Sequence, residues 1–169
     1  SWQYGYFEIR ARLPVGGGSW PALWFLPDDI HQGVRWPLCG EIDLMEHSGL
    51  HQGDLFYSLH SQKHNHTLKE GVQYTTTIHR ERICDDFHIY GMEWTPEHVE
   101  YFLDGESVCL YRKADDAEDQ TEKAWPYDKP YYLIMNIAVG GLGGPVAEET
   151  LPFVMEVDYV RVYQKKHQL

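Results

Sequence analysis

The sequence predicts an all-β chain folded as a two-sheet antiparallel sandwich. Short runs that alternate apolar and polar residues recur about every 8–12 residues, separated by Gly, Pro and Asp-Gly turn signals. No segment of useful length has the helical period, and no internal repeat appears. The chain has 169 residues, of which 43% are hydrophobic and 14% aromatic, so residues 1–169 are expected to form a single domain.

The strands are predicted from alternation and from the breaks that end each run. Tyr6–Leu13 alternates and stops at Pro14, whereas Ser19–Leu26 is apolar on both faces, as expected of a central strand. The remaining predicted strands are, in order, the acidic run Glu41–Glu46, Gly53–His60, Asp86–Trp94, a Val99–Tyr111 hairpin turning at Asp104-Gly105, Tyr131–Val139 and Phe153–Tyr163. Between them, Pro27–Arg35 and Ser61–Gly71 are predicted loops, and Arg112–Lys123 is a loop or a short helical turn.

Charge and hydropathy exclude several classes of partner. The net charge is −12 and no Lys/Arg cluster is long enough to follow phosphates, so nucleic acid and anionic membranes are not expected partners. No apolar run approaches the ~20 residues of a membrane span, and no signal peptide opens the sequence. Three cysteines without metal-type spacing are expected to be free thiols.

The most informative segment is the acidic strand, which places three carboxylates within six residues. Glu41 and Asp43 share one face of a strand, but Glu46 falls on the other face if the strand is regular. One extra residue, a β-bulge around Leu44-Met45, returns Glu46 to the face of its partners. The alternative is an edge strand with scattered, solvated acids.

With the bulge, this spacing fits a known chemistry. Glu41 and Glu46 would lie roughly 13 Å apart at Cα, and side chains that lean together bring two carboxyl groups to about 5 Å. That separation is typical of retaining glycoside hydrolysis, with one carboxylate as nucleophile and the other as acid/base. Asp43 between them is expected to bond the nucleophile, leaving Glu41 ionised and Glu46 neutral.

Five motifs in this order resemble glycoside hydrolase family 16. They are Tyr4–Pro14, the Trp-Pro-Ala-Leu-Trp run 20–24, the Gly-Glu-Ile-Asp-Leu-Met-Glu run 40–46, Asn136–Gly141 and Val157–Tyr163. The six-residue acidic motif is similar to that of the laminarinase-like branch, which comprises endo-β-1,3-glucanases. The resemblance covers nearly the whole chain and implies a β-jelly-roll with a concave cleft sheet, and retaining endo-hydrolysis of β-1,3- or β-1,3-1,4-glucan.

The resemblance also implies roles for individual residues. Glu41 matches the nucleophile, Asp43 the assisting carboxylate and Glu46 the acid/base. The substrate-binding positions it implies are Trp20, Trp24, Trp36, His60, Asn136 and Arg10, the last on a neighbouring cleft strand. For Trp94 and Trp125, core positions are predicted instead.

The chain also departs from the family pattern. Members carry some 60–80 residues before the Tyr-Gly-Tyr segment, so the sandwich is expected to be N-terminally incomplete, with a dimer or a complementing segment covering the exposed strands. The family's structural calcium uses the aspartate that matches Asp158 and an acidic residue near the missing N-terminus, so a calcium at Asp158 is an open alternative, and no cofactor is expected to be required. A secreted, cell-surface or periplasmic location is expected. The alternative function is a catalytically impaired β-glucan-binding or assembly module.

Histidines in the loop after His60 offer a further candidate. His64-Asn65-His66 has no third ligand at fixed spacing, so a solvated loop is predicted rather than a metal site. Asn65-His66-Thr67 also fits a glycosylation sequon.

Overall fold

The computed structural model describes residues 1–68, 74–115 and 120–165, and within them the fold is almost entirely β. The strands are β1 Gly5–Arg12, β2 Ser19–Pro27, β3 Glu41–His47, β4 Asp54–His60, β5 Tyr74–His79, β6 His88–Trp94, β7 His98–Leu103, β8 Glu106–Arg112, β9 Tyr131–Val139 and β10 Glu156–Tyr163. Four short 3₁₀ turns cover Asp28–Gln32, Lys113–Asp115, Gly141–Gly143 and Glu148–Thr150. In the described part of the chain no helix is long and apolar enough to cross a membrane.

The strands form two antiparallel sheets of five. The acidic sheet has the order β5-β4-β3-β2-β9, and the opposite sheet has the order β10-β1-β6-β7-β8. The predicted two-sheet sandwich is therefore confirmed. β3, which carries the three acids, is the central strand of the acidic sheet, so both of its edges are paired and its position is fixed on both sides.

The hydrophobic core lies between the two sheets. Phe7 of β1 packs edge-on against Phe25 of β2 with ring centroids 5.2 Å apart, and both side chains are fully buried. Trp94 is 1% exposed and donates its indole N–H to the Tyr127 carbonyl at 3.0 Å. Trp125 is also buried, so the core positions predicted for these two tryptophans are confirmed.

Most strand predictions are confirmed within two or three residues, and one strand was missed. The hairpin turns at Asp104-Gly105 as predicted, and Tyr131–Val139 matches β9 at both ends. β5 was not predicted because Tyr74–His79 is half polar and lies at the edge of its sheet. The predicted loop Ser61–Gly71 is described only to residue 68, and part of Arg112–Lys123, residues 116–119, also lies outside the described residues.

One side of the sandwich has two free strand edges. Among the described residues β10 pairs only with β1, and β9 pairs with β2 and, at Tyr131 alone, with Trp2, whereas β5 and β8 contact each other at the other side. Apolar side chains at least one-third exposed lie along these two strands: Met135, Val139, Val157, Val160 and Tyr163.

Candidate active site

β3 contains the predicted bulge, and it falls between Asp43 and Glu46. Against β4, Asp43 is opposite Ser58 and Glu46 is opposite Phe56, so three steps on β3 face two on β4. Against β2, the partners Trp24 of Asp43 and Leu23 of Met45 show the same extra residue. Leu44 and Met45 at the bulge are both fully buried. The prediction of a bulge at this position is therefore confirmed.

Glu46 is held by a tryptophan of the neighbouring strand. The indole N–H of Trp20 donates to Glu46 Oε1 at 2.8 Å. Glu46 pairs in register with Ala22, which lies two residues after Trp20 on the same face of β2. On the same strand, Trp24 donates its indole N–H to Asn136 Oδ1 of β9 at 2.8 Å. The structure therefore brings these four predicted site residues onto one face of the acidic sheet.

Glu41 and Asp43 share their environment with His60. Glu41 is directly opposite His60 in the β3–β4 ladder, and His60 Nε2 lies 3.0 Å from Asp43 Oδ2. One ligand-type atom from each of the three residues lies within 4.8 Å of the others. Asp43 is 1% exposed and His60 is 7% exposed, whereas Glu41 and Glu46 are both partly open to solvent. The accessible carboxyl groups are thus those at the two ends of the acidic motif.

Trp36 lies beside this cluster and packs against two histidines. Its ring centroid is 6.1 Å from that of His60 and 5.3 Å from that of His66. The indole nitrogen of Trp36 is buried without a hydrogen-bond partner among the described residues. The half-buried ring therefore packs as an aromatic surface next to Glu41.

Tyrosines beneath the sheet support the site, and the sequence did not point to them. Tyr127 is fully buried and donates to the His60 carbonyl at 2.9 Å, which fixes the end of β4 beside Glu41. Tyr131 donates to the Cys39 carbonyl at 3.2 Å, under the turn that enters β3. Gly40 in this turn has φ +84°, and a Cβ there would lie 2.3 Å from Tyr131 Oη. Aromatic enrichment was the available signal, but it does not say which phenol meets which carbonyl.

Burial raises the pKa of all three carboxyl groups. The pKa of Glu41 rises to about 9, first through desolvation and then through the charge of Asp43. Desolvation likewise raises the pKa of Asp43, with the charge of Glu46 adding to it, and raises the pKa of Glu46 against the opposing Trp20 hydrogen bond. Three carboxylates this close do not ionise independently, so the cluster retains protons at neutral pH. Burial thus opposes ionisation of Glu41, and its role as an ionised nucleophile stays a prediction.

The prediction that Arg10 lies on a cleft strand is wrong. Arg10 belongs to β1, which pairs with β6 and β10 in the opposite sheet. Its guanidinium bonds Asp158 at 2.6 Å and lies over the Phe87 ring at 4.7 Å. The alternation of β1 turns Phe7, Ile9 and Ala11 into the core, so Arg10 faces outward on the far side of the sandwich.

Asp158, the possible calcium ligand, is paired with a cation in this structure. Its carboxylate is already neutralised by Arg10, and it belongs to no group of three acid or histidine ligands among the described residues. Calcium takes six to eight oxygen ligands, of which this position supplies one paired carboxylate.

Comparison with known proteins relates this geometry to a family. Residues 1–161 match the model of the family Glycosyl hydrolases family 16. A beta-glucanase of Rhodothermus marinus is 44% identical over 171 residues, which cover 97% of this chain and 58% of that protein. A beta-1,3-glucan-binding protein of Penaeus monodon is 32% identical over 167 residues, which cover 85% of this chain and 44% of that protein. The chain therefore spans about half the length of these relatives.

A solved structure agrees with the fold. The laminarinase from Flavobacterium sp. UMI-01 superposes with a TM-score of 0.87 at 39% sequence identity, covering 96% of this chain and 68% of that one. The two-sheet architecture of this chain is thus shared with that laminarinase.

Proposed function

Because the chain belongs to glycosyl hydrolase family 16, we propose that it is a retaining, endo-acting β-glucan hydrolase. Its substrate is β-1,3-glucan or mixed-linkage β-1,3-1,4-glucan. The observation that carries the proposal is the bulge in β3, which turns Glu46 to the side of Glu41 and Asp43. Two carboxyl groups on one face are what a double displacement requires, one on each side of the scissile bond.

The reaction proceeds in two steps with distinct roles for the two glutamates. Protonated Glu46 donates its proton to the glycosidic oxygen as the Glu41 carboxylate attacks the anomeric carbon, and the leaving sugar departs with the proton. In the second step Glu46 takes a proton from water, whose oxygen attacks the anomeric carbon and releases Glu41 as a carboxylate. Inversion at each step gives net retention of the β configuration.

The raised pKa values of the three carboxyl groups support these roles. Glu41 and Asp43 are joined by a hydrogen bond, and the raised pKa values of both mean that they hold a proton at neutral pH. When this proton resides on Asp43, Glu41 is free to attack while Asp43 donates a hydrogen bond to it. Desolvation raises the pKa of Glu46, which favours the protonated form that a general acid needs.

Aromatic and charge features support a neutral polysaccharide as substrate. Trp20, Trp24 and Trp36 are half-buried around the acids, and such rings pack against the C–H faces of pyranoses while the hydroxyls stay solvated. Asn136, Oδ1-bonded to Trp24, retains an exposed amide for a sugar hydroxyl. The net charge of −12 disfavours sulfated polymers. β-Glucan polysaccharides are too large to cross a membrane, so we propose that the protein acts outside the cytoplasm. We also propose that the reaction requires no cofactor.

The test is hydrolysis of laminarin and barley β-glucan by the parent and by Glu41→Gln and Glu46→Gln. Both variants are expected to lose at least about a thousandfold in kcat while keeping the parent's circular dichroism. An exposed acid between β6 and β7 of the opposite sheet, Glu97→Gln, is the matched control and is expected to retain full activity. If the parent binds insoluble β-1,3-glucan but releases no reducing sugar, the chain is a binding module instead; parent-like turnover in either cleft variant removes the mechanism.

We further propose that an added β-segment covers the free edges of β9 and β10. Exposed valines and Tyr163 along both edges support this, because unpaired apolar edges bind further strands. The high net charge disfavours a second copy of the same chain as the cover. Light scattering with hydrogen exchange tests this: a monomer with fast-exchanging β9 and β10 amides is expected, and a dimer with protected edges contradicts it.

A further inference from the structure

The loop that follows β4 is fixed by a buried asparagine. Asn65 is 1% exposed, and its amide nitrogen donates to the Ser61 carbonyl at 2.9 Å. Its Oδ1 accepts from the backbone N–H of Thr67 at 3.0 Å and from the Thr67 hydroxyl at 2.6 Å. His64 is buried and stacks on Tyr74 with centroids 4.3 Å apart. The segment predicted to be a solvated loop is therefore a built turn, and the amide of Asn65 is not accessible for glycosylation.

This turn places His66 against two residues of the candidate active site. The His66 ring lies 5.3 Å from Trp36 at an interplanar angle of 35°, and 5.4 Å from His60 at 89°. His60 in turn is opposite Glu41. Trp36 is half-buried and His60 is buried, whereas His66 is exposed. Of the three rings of Trp36, His60 and His66, that of His66 is therefore the most accessible to solvent.

The chemistry of His66 suits a sugar hydroxyl. Its side chain is exposed, and in the described part of the chain no residue hydrogen-bonds its ring nitrogens. Partial burial and the neighbouring His60 lower the pKa of His66, which favours a neutral imidazole with one N–H donor and one acceptor nitrogen. A sugar hydroxyl both donates and accepts, and the ring face packs on pyranose C–H groups. The alternative is a histidine in a solvated loop. That alternative does not account for the hydrogen bonds of buried Asn65, which fix the turn, or for the contact of His66 with Trp36.

We propose that His66 is a substrate-binding residue that forms, with Trp36, one sugar subsite on the Glu41 side of the cleft. The proposal rests on the proposed function, since it names a contact of the same substrate. His66 contributes equally to the bound substrate and to the transition state, because it touches the sugar and not the reacting bond. Its removal therefore raises KM and leaves kcat unchanged.

The experiment compares three replacements of His66 by steady-state kinetics on laminarin. His66→Ala is expected to raise KM about fivefold, the equivalent of one neutral polar contact, with kcat within twofold of the parent. His66→Phe keeps the ring and His66→Asn keeps a hydrogen-bonding group, so a partial recovery of KM in one of them identifies which contact operates. His88→Ala, on the opposite sheet and paired with Asp104, is the matched control and leaves KM unchanged.

Binding separates this inference from the proposed function. In the Glu41→Gln background, titration with laminari-oligosaccharides gives the affinity without turnover, and adding His66→Ala is expected to weaken it by a similar factor. If the parent hydrolyses laminarin and His66→Ala has the parent's KM and affinity, the inference is wrong although the function stands. If the parent does not hydrolyse laminarin but His66→Ala still weakens oligosaccharide binding, the function is wrong and the inference stands.

Discussion

Glu41→Gln is expected to stabilise the fold at neutral pH while abolishing activity. Burial raises the folded-state pKa of Glu41 from 4.5 to about 9, so the folded protein holds a proton that the unfolded chain releases. A group with a raised pKa contributes its full stability below pH 4.5 and loses that contribution as the pH rises towards 9. Glutamine has nearly the shape of the protonated acid and never ionises, so the variant escapes this loss.

The magnitude follows from the pKa shift. One pKa unit corresponds to about 1.4 kcal/mol. At pH 7 the solution is about 2.5 pH units above the pKa of 4.5 at which this carboxyl group ionises in the unfolded chain. The variant is therefore expected to gain up to about 3 kcal/mol at pH 7 and nothing near pH 4. Hydrogen bonding between Glu41 and Asp43 differs in the variant, so the pH dependence of the gain tests the reasoning more cleanly than its size.

Urea unfolding measured between pH 4 and pH 8 provides the assay. The difference in unfolding free energy between Glu41→Gln and the parent is expected to widen with pH. Exposed Glu97→Gln serves as the control and keeps a constant difference. Parallel stability curves for Glu41→Gln and the parent would refute the assignment of Glu41 as a buried acid that resists ionisation.

Three further predictions address the bulge, the acid/base and the turn into β3. Deleting Leu44 removes the extra residue and leaves Glu46 four positions after Glu41, still on the cleft face of a now regular strand, so hydrolysis is expected to persist, whereas deleting Leu44 and Met45 together turns Glu46 towards the core and abolishes hydrolysis; reducing-sugar release measured beside urea unfolding tests this, and loss of hydrolysis in a folded single-deletion variant contradicts a bulge of one residue. Trp20→Phe removes the N–H that lowers the pKa of Glu46, so the alkaline limb of the kcat/KM profile moves to higher pH, and an unchanged limb contradicts the role of Glu46. Gly40 and Gly105 both have φ +84°, but only at Gly40 would an added Cβ lie against Tyr131. Gly40→Ala is therefore expected to lower the melting temperature more than Gly105→Ala does, and equal decreases in the two variants would contradict the close approach.

The acidic strand shows how far the sequence alone predicts the site. Three acids cannot face one side of a strand at this spacing unless one residue is extra, and Leu44-Met45 is the only apolar pair between them. The bulge followed from that constraint, whereas the central position of β3 in its sheet was not predicted. Local pattern and pairing agree here, so the prediction was reliable.

Arg10 and His66 show where sequence reasoning fails. Alternation in β1 indicates which residues share a face, but it does not say to which sheet the strand belongs. His66 lies in a polar segment without periodicity, and only the hydrogen bonds of buried Asn65 bring it to Trp36. The raised pKa values of the carboxyl groups likewise depend on how deeply the folded structure buries them. The spacing of the acids in the sequence does not determine that burial.

Proton NMR of laminarin hydrolysis, recorded from the first seconds, tests the central claim that Glu41 and Glu46 act on one anomeric centre from the same side of the sheet. Two successive displacements leave the new reducing end in the β configuration, with the α anomer appearing later by mutarotation. Initial release of the α anomer would mean a single displacement by water, and the nucleophile and acid/base roles of the two glutamates would be wrong.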